Sequence, residues 1–104
     1  MGTKHKLLYL AAAEADILSI VKFHADKVGP TSAREIYKTI REEISRLEEF
    51  ALIGQVHPDP ELAEMGYRKL VLNQTYVAVY KLIGNVVTVY RIVNGATDYP
   101  RLLR

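Results

Sequence analysis

At 104 residues, 49% hydrophobic and 25% charged, the chain has the composition of one globular domain that buries about two-thirds of its unfolded surface. It contains no cysteine, which excludes a disulfide framework or thiolate metal site, and no apolar run approaches the roughly 18 residues of a membrane span. The net charge of +2 hides a skew: residues 1–66 carry eight Lys/Arg against eleven Asp/Glu, residues 67–104 six against Asp98 alone, a pattern that points to an acidic or polyanionic partner.

The first residues lack the apolar core of a signal peptide, and Lys6 stands where an N-myristoylation motif takes Ser or Thr. The expectation is a cytoplasmic protein forming one domain over residues 1–104. "HKLLYL" reads as a first strand, His5 to Leu10. In "AAAEADILSIVKFHADKV", Ile17, Ile20, Val21, His24 and Val28 recur at spacings of three and four, the stripe of an amphipathic helix. His24 is a lone histidine on that stripe, and neither His5 nor His57 makes ligand spacing with it, so no metal and no other cofactor is expected.

Gly29-Pro30 ends this helix, and "SARE" opens a second, with Ser32 as N-cap and Glu35 completing a capping box. Ile36, Tyr37, Ile40, Ile44, Leu47 and Ala51 line its apolar face, while Lys38, Glu42 and Arg46 form i,i+4 pairs on the other. The connector "IGQVHPDPELAEMG" holds two prolines, and Asp59-Pro60 caps a short turn from Glu61 to Met65.

The period then changes to two. "YRKLVL", "TYVAVYKLI" and "VVTVYRIV" are β-branched and aromatic runs joined at Asn73-Gln74 and Gly84-Asn85, a three-stranded antiparallel meander. Asn73-Gln74-Thr75 also matches a glycosylation sequon, without meaning in a cytoplasmic protein. A two-residue turn at Gly84-Asn85 places Tyr76, Ala78, Tyr80, Leu82, Val87, Val89, Arg91 and Val93 on one face. Val77, Val79, Lys81, Ile83, Val86, Thr88, Tyr90 and Ile92 fall on the other. Both faces are mainly apolar, and one helical hairpin covers only one of them. The other calls for an amphipathic segment of a second chain or a second copy of this one. Arg91, set in an apolar strand, needs an anion, and Asp98 is the only acid of this half of the chain.

The order strand, helical hairpin, Pro-rich connector, "GYRKL", "YVAVYKL" and "VYRIVNGATDYPRLL" resembles the RelE/ParE family of bacterial toxins from type II toxin–antitoxin modules, over nearly the whole chain from "LYLAAAEADI" onward. The resemblance implies an α+β fold with the helices on one face of the sheet, growth inhibition or plasmid stabilisation as the biological role, and a cognate antitoxin as partner. It also implies one of two targets: DNA gyrase for ParE-like members, or ribosome-bound messenger RNA for RelE-like endoribonucleases. An inactive homologue that only binds antitoxin is a third alternative. On the ribonuclease reading, Arg68, Arg91 and Tyr99 are the catalytic candidates, and Lys69, Lys81, Arg101 and Arg104 bind target or antitoxin.

The sequence departs from the ribonuclease pattern at Val77, aligned with a basic position, and at Asn94-Gly95-Ala96-Thr97, where His followed by arginines is common. Asn and Thr cannot act as a general base near neutral pH, which favours a binding poison of gyrase over an RNA-cleaving enzyme.

Overall fold

In the computed structural model, which describes residues 4–104, strand β1 (Lys6–Tyr9) leads directly into helix α1 (Ala11–Lys27), and helix α2 (Pro30–Ser45) returns beside it. The start of α2 differs from the expected cap. Gly29 takes the N-cap with φ 144°, a conformation that side chains with a Cβ rarely adopt, and Pro30 follows in the first turn, where its missing N–H costs nothing. Ser32 therefore lies inside the helix, and its hydroxyl is 3.2 Å from Nδ1 of His24, whose Nε2 is 3.0 Å from the Tyr76 hydroxyl.

A single 3-10 turn (Arg46–Glu48) ends the hairpin, and the connector then contributes a strand, β2 (Gln55–Val56), and a short helix, α3 (Pro60–Glu64). Asp59 caps α3 as expected, accepting from the Leu62 N–H at 3.1 Å. The meander follows as β3 (Arg68–Leu72), β4 (Tyr76–Ile83) and β5 (Val86–Asn94), and the chain closes on a 3-10 turn at Pro100–Leu102. The sheet has five strands in the order β1-β5-β4-β3-β2, with β1 parallel to β5 and the other pairs antiparallel. The fifth strand, β2, is two residues long, too short to carry a period in the sequence.

The Asn73-Gln74 turn has φ of 49° and 61°, the left-handed pair of a tight hairpin. Pairing from the other hairpin runs Ile83↔Val86 to Tyr80↔Val89 and then shifts to Val79↔Arg91, leaving Tyr90 without a counterpart. This β-bulge exchanges the faces beyond it. Ile92 joins Tyr76, Ala78, Tyr80, Val87 and Val89 under the helices, whereas Val93 joins Val77 and Val79 on the far side.

The helix-side core is built from Ala13, Ile17 and Ile20 of α1, Ile36, Ile40 and Ile44 of α2, and Leu47 and Ala51 beyond it. Each fully buried branched side chain contributes about 1.5–3 kcal/mol over leaving it in water. Val28 and Tyr37, assigned to the apolar stripes, are instead exposed: Val28 lies past the end of α1 as its C-cap residue, and the Tyr37 ring stands under Arg41. On the polar face Lys38 reaches Glu42 at 3.9 Å, while Arg46 turns towards the connector. Arg41 staples the layers together: it makes a bidentate pair with Glu14 of α1 at 2.8 and 2.9 Å and lies over the rings of Tyr9 and Tyr37.

The far face is not wholly left for a partner to cover. Helix α3 and the returning C-terminal segment close it, with Leu62, Tyr67, Val77, Val79, Val93 and Tyr99 forming a second, smaller core. These elements are short, and the strand residues they bury come from β4 and β5, while Val71 of β3 stays exposed.

Candidate functional site

At the end of the sheet where β3 turns into β4 and β5 runs out, the strands leave an open groove of about 520 Å³. Lys69 and Val71 of β3, Gln74 and Thr75 of the turn, Tyr76 and Val77 of β4, and Asn94, Gly95 and Ala96 line it. Three of the positions at which the sequence departs from the ribonuclease pattern, Val77, Asn94 and Ala96, thus share one groove. Its loop is tied down: the Gly95 N–H donates to the Thr75 carbonyl at 2.9 Å, the Ala96 N–H to Asn94 Oδ1 at 2.9 Å, and the Thr97 hydroxyl to the Asn94 carbonyl at 2.7 Å. With Oδ1 so engaged, the Asn94 amide NH₂ is left as a donor for a ligand. Lys69 is the one charged side chain in the lining, and no histidine, aspartate or glutamate is among the lining residues. The groove can bind a polar or anionic group, but it offers no group able to take a proton from a 2′-hydroxyl near neutral pH.

The other residues marked in the sequence do not converge on this groove. Arg68 Nε and Nη2 donate to the Gly54 carbonyl at 3.1 and 2.7 Å, and Nη2 also to the Leu52 carbonyl at 3.3 Å. Lys81 sits over the rings of Tyr67 at 4.4 Å and Tyr90 at 5.2 Å on the far face. Arg101 is exposed, and Arg104 binds Asp59 at 2.8 Å and Glu61 at 3.0 Å.

Arg91 pairs with Asp16 of α1 and not with Asp98, which is exposed. The guanidinium donates through Nε and Nη2 to the two Asp16 oxygens at 2.8 and 2.9 Å, and the same carboxylate accepts from the Ile92 N–H at 2.9 Å. β1 ends opposite Val89, so β5 has a free edge beyond that point, and Asp16 caps it. The pairing draws on the acid-rich first part of the chain. With Arg104 likewise paired to Asp59 and Glu61, two of the six cations that made the second part basic are neutralised within the fold.

Tyr99 is 7% exposed, and its hydroxyl lies 2.8 Å from Nε2 of His57, itself 3% exposed. The Asp59 N–H donates to His57 Nδ1 at 3.0 Å, so Nδ1 is unprotonated and the neutral ring carries its proton on Nε2, donating to Tyr99. Burial first, and the nearby Lys69 charge second, hold the imidazole below its ordinary pKa, against a smaller opposing pull from Asp59. Burial likewise pushes the Tyr99 phenol up. Sequence spacing could not reveal this pair, because 42 residues separate its members.

A five-stranded sheet backed on one face by a helical hairpin is an α+β fold shared with chains of solved toxin–antitoxin assemblies. The chain superposes on a chain of the chromosomal ParDE system of P. aeruginosa with a TM-score of 0.77 at 23% identity, covering 89% of this chain and 98% of that one. It superposes on a chain of the RelBE2 toxin–antitoxin complex of Mycobacterium tuberculosis with a TM-score of 0.58 at 17% identity, covering 88% and 98%. A search of curated proteins finds no match. The family model described as the ParE toxin of the type II toxin–antitoxin system, parDE, matches residues 7–99, and the chain belongs to that family. No helix among the described residues is long and apolar enough to cross a membrane.

Proposed function

We propose that this toxin acts by binding its target rather than by cleaving RNA, that DNA gyrase is the target, and that a cognate antitoxin holds it inactive. The observation that carries the reading is the groove around Lys69, which has neutral Asn94, Thr75 and Gln74 beside it and no general base. The three side chains that a ribonuclease would draw on are committed elsewhere: Arg68 to backbone carbonyls, Arg91 to Asp16, and Tyr99 to His57. Attack of a 2′-hydroxyl on the adjacent phosphate, with the 5′-oxygen leaving, needs a base and several cations around one phosphate, and a single lysine supplies neither.

The test is to induce the chain in growing cells and follow DNA breaks and messenger 5′ ends together, then repeat with purified protein and translating ribosomes. The expected result is growth arrest with gyrase-dependent breaks and no new messenger ends, relieved by co-expression of the antitoxin. Robust cleavage of ribosome-bound messenger by the purified protein overturns this reading.

A further inference from the structure

Helix α3 and the returning tail lie over one end of the far face, where Val77, Val79 and Val93 are buried. The other end, beside the Gly84-Asn85 turn, stays partly open. There Lys81 stands opposite Thr88 and Ile83 opposite Val86, while β1 sets Leu8 beside Thr88 and Lys6 beside Val86. Paired residues share a face of the sheet, so the three strands present these side chains together.

A sheet face open to water ordinarily places polar residues at the outward positions of its strands. Here aliphatic residues take several of them. Ile83 is 61% exposed and Leu8 44%, and Leu10, two residues on along extended backbone, is 40% exposed. Polar residues would serve the strands at these places without loss of core, so the fold alone does not account for the apolar choice.

The charge at this end has one sign. β1, β4 and β5 contain no Asp or Glu, and the open end carries two lysines, Lys6 and Lys81. Neither takes part in the ion pairs formed among the described residues. Lys81 is also held in place: its Nζ lies over the rings of Tyr67 and Tyr90, which meet edge to face with their centres 5.1 Å apart. A lysine already stacked in this way loses less rotamer freedom when it meets a carboxylate.

We propose that this end of the sheet docks an acidic protein surface, with Leu8, Leu10 and Ile83 as its apolar contacts and Lys6 and Lys81 as anchors for its carboxylates. Charge complementarity selects the partner. A second copy of this chain fits poorly, because a two-fold axis would set a lysine-bearing, carboxylate-free surface against its own image. Single-stranded nucleic acid fits poorly as well, since bases stack on free aromatic faces, whereas the side chains offered here are aliphatic and the rings of Tyr67 and Tyr90 are turned to Lys81 and to each other. An anionic bilayer calls for a larger basic cluster than two lysines. The groove lies at the opposite end of the strands and shares no lining residue with this surface, so both can be occupied at once. In the gyrase reading the acidic surface belongs to the target, and the proposal rests on that reading only for the partner's identity.

Two phage-displayed peptide libraries with the same apolar positions, one carrying Asp and Glu and the other Lys and Arg at the remaining positions, are panned against the full chain. The acidic library is expected to yield binders weakened about tenfold by Ile83→Asp and by Lys6→Glu, the loss of one interface anchor each, and unaffected by Leu18→Asp, which alters an equally exposed apolar residue on α1. Ile83 and Lys6 are both exposed, so their variants should melt as the parent does, which a thermal scan verifies. Lys81→Gln is expected to flatten the salt dependence of binding, a readout that a purely structural role for this lysine would not move. Enrichment of neither library, equal enrichment of both, or acidic binders indifferent to Ile83→Asp overturns the proposal. So does binding of the parent chain to phosphatidylserine vesicles or to a short poly-dT strand that Ile83→Asp and Lys6→Glu abolish. Because the assay uses isolated protein, without gyrase and without toxicity, its failure leaves the gyrase reading untouched, and the failure of that reading leaves this surface standing.

Discussion

On one face of the sheet, Ile17, Ile40, Ile44 and Leu47 are fully buried against Tyr80, Val87 and Val89; on the other, Leu62 and Tyr99 meet Val77 and Val79 beneath a short helix and a returning tail. The first face is closed by area. Most of its stabilisation is non-directional and spread over many side chains, with the Arg41–Glu14 and Arg91–Asp16 pairs added to it. The second is closed by a small apolar cluster and by directional bonds, the His57–Tyr99 hydrogen bond and the Arg104 ion pairs. A face held by few bonds can open locally without unfolding the rest. The contrast makes the far face the part of the molecule that responds to its surroundings.

The largest effect should come from cutting into the helix side. Ile40→Ala leaves a cavity in a site with no exposure, and is expected to cost about 2–5 kcal/mol. In a chain of this size that lowers the melting temperature by about 10 °C or more. A loss no greater than that of Tyr99→Phe, measured in the same buffer, breaks the distinction between the faces.

Next is Asp16→Ala, which leaves a partly buried Arg91 and the Ile92 N–H without their acceptor, at an expected cost of about 1–3 kcal/mol. Adding Arg91→Met should recover part of the loss, since no unpaired cation then remains. A double variant as unstable as the sum of the singles shows that the pair is not coupled.

Tyr99→Phe removes one hydrogen bond and is expected to cost about 1 kcal/mol, with faster amide exchange confined to α3 and the C-terminal turn. The same region should be pH-sensitive. Folding lowers the His57 pKa below 6.5, so its contribution is fully present above about pH 6.5 and is lost as pH falls from there through the native value. Protonation puts a hydrogen on Nδ1, which faces the Asp59 N–H. His57→Gln should flatten this descent between pH 7 and 5. A parent protein whose far-face amides keep the same protection, relative to an unfolded chain, at both values contradicts the assignment.

The smallest effect is that of Arg104→Gln. Its guanidinium is solvated, and an exposed ion pair adds little to stability. Global melting should be unchanged, while the amides of residues 100–103 exchange faster at low salt. A clear drop in melting temperature shows that the tail carries more of the fold than its contacts indicate.

Much of the fold was legible in the residues. Ile17 and Ile20, the Ile36-Ile40-Ile44 series, the Asp59-Pro60 cap and the three meander strands follow from periodicity and cap chemistry, which act within one turn or one strand. The departure of Val77, Asn94 and Ala96 from a ribonuclease pattern was implied by the family resemblance instead, and the groove brings the three together. What periodicity could not carry is whatever depends on one residue or on distant partners. The extra Tyr90 moved Ile92 to one face and Val93 to the other, since a single unpaired residue inverts everything beyond it. Two residues of β2 hold no period at all. Asp16 and Arg91 lie 75 residues apart and His57 and Tyr99 42, so no local signal links them. The sequence by itself settled which of the longer segments are helix and which are strand, because those choices follow from short-range sterics and alternation. Which anion each arginine finds, and how the far face is closed, were decided only by the packed chain, because charge and hydrogen-bond partners are chosen by distance in space.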